Sequence, residues 1–180
     1  MKRIDTRTIG REAGLTLIEL VIVVGVIGVV SAITVPSVLR ARITANETSV
    51  LGSMRAVNSA QAAYAGAASP GGYAASFSIL VQACPGSTQG FISPDLAGDP
   101  AQKSGYTVTL GPGTLGPGPT DCNGQGTSIG YYLAAVPVSS GLTGHRAFAS
   151  TSPGVIYFTS TGVAPSEAET FPNGGGRPIQ

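Results

Sequence analysis

Residues 20–39, LVIVVGVIGVVSAITVPSVL, carry no charged side chain, and Glu19 sits directly ahead of them. Extended back to Leu15, the apolar run covers residues 15–39 with Glu19 as its single charge. As a helix rising about 1.5 Å per residue it reaches roughly 37 Å, enough to cross a hydrocarbon core of about 30 Å. An ionised carboxylate inside such a segment costs about 2.5–3.5 kcal/mol on insertion scales, so Glu19 is expected to serve a purpose. The fourteen residues ahead of Leu15 are basic and end in Gly14. The pattern predicts a chain that enters a membrane, is trimmed, and uses Glu19.

Two ordinary explanations compete for this segment. A secretory signal peptide also starts basic, turns apolar and ends in small residues, for which Val30-Ser31-Ala32 would serve. Against it, the run continues past Ala32 to Leu39, and Glu19 interrupts the start of its core. A plain anchor accounts for the length and places Lys2, Arg3, Arg7 and Arg11 on the cytoplasmic side. It gives no reason for Gly14 and Glu19 at this spacing.

Gly14-Leu15-Thr16-Leu17-Ile18-Glu19 followed by the apolar run resembles the class III signal of type IV pilins and type II secretion pseudopilins, over roughly residues 10–66. The resemblance implies that a prepilin peptidase cuts between Gly14 and Leu15 and methylates the new amine of Leu15. It implies that Glu19, fifth in the mature chain, helps to assemble the filament. Pro36, twenty-second after the cut, falls where many members carry a proline that interrupts the helix. Leu15 departs from the phenylalanine usual at the first mature position. The partners implied are the peptidase, an assembly ATPase acting through a membrane platform, and further copies of the chain. The implied location is the bacterial inner membrane, single pass with the amino terminus cytoplasmic, then a periplasmic or surface filament.

The 180 residues suit one compact domain with an appendage. Only 11% are charged, and 26 glycines and 13 prolines point to a turn-rich extracellular domain. A net charge of +1 supplies no basic field for nucleic acid. Without residues 1–14, six basic and seven acidic side chains remain, so strong repulsion does not oppose self-association.

After the apolar run, Ile43, Val50, Met54, Val57 and Tyr64 recur at heptad-like steps, with Arg42, Glu47, Arg55 and Asn58 among polar positions. That periodicity predicts an amphipathic helix with one buried stripe. One helix is expected over about residues 15–65, ended by Gly66 and Ser69-Pro70-Gly71-Gly72. Gly25, Gly28 and Pro36 should break or soften it, while the glycines can also serve close packing between helices. Residues 67–104 read as a connection, with Phe77–Val81 as one or two helical turns and further turns around Ser93-Pro94-Asp95 and Gly98-Asp99-Pro100. Tyr106, Val108 and Leu110 alternate with Thr107 and Thr109 as a half-buried strand, and 129–136, 146–150 and 155–159 supply three more. Residues 111–126 read as a Gly- and Pro-rich loop, and 164–180 as an irregular tail. The expected fold class is α+β: a long amino-terminal helix, filament core over 15–39 and amphipathic over 40–66, packed across an antiparallel sheet over 105–163.

An exported chain with two cysteines can pair Cys84 with Cys122; two free thiols are the alternative. The resemblance supports the bridge loosely, since many pilins carry a disulfide closing a C-terminal loop, although this bridge starts earlier than in that pattern. No nucleophile elbow, phosphate loop or zinc cluster marks an enzyme, and no cofactor is expected. His145 falls in the third strand region, where a lone histidine is more often structural or solvent-facing. Asp95, Asp99 and Asp121 have the chemistry for calcium, but isolated loop aspartates are usually solvated turn residues. Tyr131, Tyr132, Phe148, Tyr157 and Phe158 are expected as sheet core. The sequence therefore predicts a structural filament subunit, with a pilin ahead of a secretion pseudopilin because no aspartate-rich calcium loop or DPWG-type segment is evident. An anchored periplasmic binding domain ranks third.

Overall fold

The apolar run and the amphipathic stripe after it form one helix, α1, Leu17–Ala67. It belongs to a computed structural model that describes residues 14–170 and 176–179. The expected leader, Gly14 apart, lies outside the described residues, as does 171–175 of the expected tail. The start of α1 is set by Thr16, whose carbonyl accepts the first helical bond from Leu20 N–H at 3.2 Å. At the other end Gly66 stays helical. Pro70, lacking an N–H, and the extended preference it imposes on Ser69 stop the helix instead.

The break expected at Gly25, Gly28 and Pro36 is absent: α1 runs through all three without interruption. Glycine and proline each weaken a helix locally, but the hydrogen bonds on either side keep the turns in register. With a mean hydropathy of 2.6 in its most apolar window, α1 is long and apolar enough to cross a membrane. The chain divides into two compact units, the first ending at Val38 and the second being Leu39 onward. Among the described residues of the first unit, every large apolar side chain is 45–81% exposed.

The second unit holds a six-stranded antiparallel sheet in the simple order β1-β2-β3-β4-β5-β6. Its strands are β1 Ala101–Lys103, β2 Tyr106–Pro112, β3 Tyr131–Pro137, β4 Ala147–Thr151, β5 Ile156–Thr159 and β6 Arg177–Pro178. Alternation in β2 and β3 turns Tyr106, Val108 and Leu110 and Tyr131, Leu133 and Ala135 to one face. There they form a single core with Phe148 of β4 and with Val50, Met54, Val57 and Tyr64 of α1. The short helix α2, Phe77–Val81, adds Phe77 and Leu80 to that core.

Four details differ from the sequence expectations. Gly111 and Pro112 extend β2 into the expected loop, because Tyr132 and Tyr131 pair with them. β1 and β6 were not expected; each is too short to show a period and exists through its pairing with β2 or β5. The tail is not wholly irregular: a 3₁₀ turn at Glu167–Thr170 lies on β4, and Thr170 Oγ1 meets Thr151 Oγ1 at 3.3 Å. That cover explains why all five residues of β4 are buried. His145 precedes β4 instead of lying within it, and is exposed.

Candidate functional site

Gly14, Leu15 and Thr16 precede α1 without regular secondary structure, and Glu19 occupies its first turn. Thr16 Oγ1 accepts the Glu19 N–H at 3.3 Å. Thr16-Leu17-Ile18-Glu19 thus has the residue spacing of a capping box, with the threonine half of the exchange formed. The same position places the Glu19 carboxylate where the positive end of the helix dipole favours an anion. Leu15, Thr16 and Glu19 are all exposed, so the carboxylate is open to an external cation. Nothing lies within 4 Å of where a Cβ would stand on Gly25 or Gly28. Their small size therefore answers no packing need among the described residues.

Glu47 was expected among polar positions of the helix; it is 5% exposed, and the reason is a dedicated set of donors. Its Oε1 accepts the backbone N–H groups of His145 at 2.9 Å and Arg146 at 3.1 Å. Its Oε2 takes Arg146 Nε and Nη2, both at 2.7 Å. The Arg146 guanidinium in turn lies 5.7 Å from the Phe148 ring centre and 5.6 Å from that of Phe158. Burial pushes the Glu47 carboxyl up, but the two N–H groups and the guanidinium outweigh it and hold the group below its ordinary value. With both oxygens committed, Glu47 is a fixed anion that joins α1 to the segment entering β4 rather than a proton carrier.

Cys84 and Cys122 are joined as a disulfide, with Cα atoms 5.6 Å apart. The bridge ties the segment after α2 to the loop between β2 and β3. Beside it, Asp121 Oδ1 accepts the N–H groups of Asn123 at 2.9 Å and Gln125 at 2.7 Å, while Oδ2 accepts the Tyr64 hydroxyl at 2.7 Å. Burial raises the Asp121 carboxyl, and these three donors bring it below its ordinary value. The three loop aspartates have separate duties: Asp95 pairs with Lys103, Asp99 accepts the Phe77 N–H at 3.1 Å, and Asp121 orders its own turn. Among the described residues no group of three or more acidic, histidine or cysteine side chains is placed to hold a metal ion.

Sequence reasoning passed over Thr16, Gln61 and the partnership of Glu47 with Arg146. The first was signalled by the T-x-x-E spacing ahead of an apolar run, and the other two by their places in the buried heptad stripe. No protein-family model matches this chain, and neither a curated protein nor a solved structure is significantly similar to it.

Proposed function

We propose that this chain is the structural subunit of a type IV pilus-like filament, cut between Gly14 and Leu15 and assembled through the first half of α1. One observation carries this reading: a helical stretch of exposed apolar side chains bears a single carboxylate, Glu19, in its first turn. Such a surface has to be covered, first by lipid and then by the same segment of other copies. Cleavage creates an amine on Leu15 in the zone that holds Glu19. In the filament, Glu19 of one subunit pairs with that amine on a neighbour, and the pairing offsets the cost of withdrawing the carboxylate from water. The exposed glycines at 25 and 28 allow close approach of helices from other copies. The chain works as a polymer subunit and not as a catalyst.

The experiment co-expresses Glu19→Ala with the wild-type chain and compares cleavage, membrane level and filament content. Intact mass is expected to place the mature amino terminus of both at Leu15, and Glu19→Ala to be under-represented in filaments. Incorporation at wild-type stoichiometry would sink the pairing mechanism. Loss of cleavage would move Glu19 from assembly to recognition by the peptidase.

A further inference from the structure

The second unit has two chemically different ends. At one, the loop between β3 and β4 flanks the first turns of α1 after Leu39: Asn46 Nδ2 donates to the Thr143 carbonyl at 3.0 Å. His145 of the same loop shares a groove with Arg40 and Ile43. Leu142 stands at the loop tip, 71% exposed. The loop is stiff, because Ser139 N–H donates to Thr143 Oγ1 at 3.1 Å and a Cβ on Gly144 would collide with the Tyr106 hydroxyl. Two other exposed apolar residues share this end, Val138 at 57% and Val163 at 68%. Val138 N–H bonds the β1–β2 turn at Gly105, and Gly162, next to Val163, lies against Ser140.

Charge divides the same way. Arg40 and Arg42 are exposed at this end, and among the described residues neither forms a salt bridge. The nearest acid on the helix, Glu47, is already matched by Arg146. At the opposite end Asp121 is held by Tyr64, near the far end of α1, and Glu167 by the N–H of Thr114 after β2. The second acid at the arginine end, Asp95, is likewise matched, by Lys103 beside the β1–β2 turn. With both acids matched, Arg40 and Arg42 leave that end with an excess of positive charge beside projecting leucine and valine, which suits an anionic, partly apolar surface.

The geometry points to a lipid-docking face: we propose that, before assembly, Arg40 and Arg42 bind anionic headgroup phosphates while Leu142 dips into the bilayer interface. The proposal rests on the reading that residues 15–39 cross the membrane. Asn46 is seven residues beyond Leu39, a rise of about 10 Å along the helix, which reaches the outer edge of a headgroup layer about 5–8 Å thick. Arg40 and Arg42 lie nearer still. An arginine close to an anionic membrane surface contributes about a fivefold factor to binding, and two act in concert here.

The chain contains no tryptophan, so one introduced residue reports alone. The full chain is reconstituted into phosphatidylglycerol-containing vesicles as three variants: Val30→Trp inside the span, Leu142→Trp at the loop tip, and Leu115→Trp at the acidic end. Brominated lipids are expected to quench Val30→Trp strongly and Leu142→Trp partly, and to leave Leu115→Trp untouched. Arg40→Gln with Arg42→Gln, or raised salt, is expected to release Leu142→Trp from quenching. An unquenched Leu142→Trp beside a quenched Val30→Trp overturns the docking face and leaves the membrane reading intact. An unquenched Val30→Trp overturns both. Equal quenching of Leu142→Trp in purely zwitterionic vesicles removes the arginines from the account and overturns the proposal. A blue shift without quenching that grows with protein density assigns the face to a second copy of the chain, which also overturns it.

Discussion

Gln61, wholly buried on α1, exchanges two hydrogen bonds with the backbone of Ala74: its Nε2 donates to the carbonyl at 2.8 Å, and its Oε1 accepts the N–H at 2.9 Å. A single side chain therefore satisfies both peptide groups of a residue that is itself buried, in the segment that turns back beside the helix. Gln61→Leu keeps the volume and leaves Ala74 unpaired on both sides. The expected loss is about 2–4 kcal/mol, read from denaturant unfolding of the detergent-solubilised protein. A loss under a few tenths would mean that water replaces both bonds.

Glu47 and Arg146 are expected to be energetically coupled. Removing the carboxylate leaves a guanidinium and two N–H groups without their acceptor, so Glu47→Ala should cost about 2–4 kcal/mol. Arg146→Lys retains the charge but not the fork that meets Oε2 with two nitrogens, and should cost part of that. A double-mutant cycle with Glu47→Gln and Arg146→Met is expected to return a coupling of about 1–3 kcal/mol. Additive losses would reduce the pair to two independent packing effects.

Acid should weaken the domain through two carboxyl groups. Glu47 and Asp121 both titrate below their ordinary range in the folded chain, so unfolding takes up protons as pH falls. Their contribution is complete above the ordinary carboxylate range and is lost as pH drops through the lowered folded values. Melting temperature should be level near neutrality and fall below about pH 4–5. Glu47→Gln should start lower and lose less on acidification. A wild-type profile that stays flat into strong acid would contradict the assignment.

Reduction of Cys84–Cys122 is expected to act first on the loop it anchors. A separation of 38 residues corresponds to at most about 4 kcal/mol of loop-closure entropy. Hydrogen exchange with and without reductant should show faster exchange around Asn123 and Gln125, with smaller changes in the amides of β3 and β4. Equal acceleration across the sheet would show that the bridge supports the whole domain.

The heptad stripe of α1 shows how far the sequence could be read. Positions 43, 50, 54, 57 and 64 stand out because they are apolar, and burial followed at all but Ile43, which is half-buried. Glu47 and Gln61 fit the same spacing, three before Val50 and three before Tyr64, but their side chains read as solvent-facing. Their burial depends on donors and acceptors brought from residues 146 and 74, and such a partner has no local signature. The alternating strands were legible for the opposite reason, since each carries its own period. β1 and β6 have none and take their conformation from a neighbour. At the amino terminus the spacing of Gly14, Leu15 and Glu19 was plain, and the threonine cap between them was visible in principle as T-x-x-E.

In the sheet, each strand after the first is hydrogen-bonded to the one immediately before it in the chain. No strand must wait for a distant segment, so the sheet can grow one hairpin at a time as the chain is delivered from its amino terminus. The connections 113–130 and 160–176 are longer than a tight hairpin, but every closure joins strands that are neighbours in the chain, and folds dominated by such pairing form quickly. The stripe of α1 is synthesised first and stays uncovered until β2 and β3 arrive. During that interval Val50, Met54 and Val57 are the residues a chaperone would have to shield.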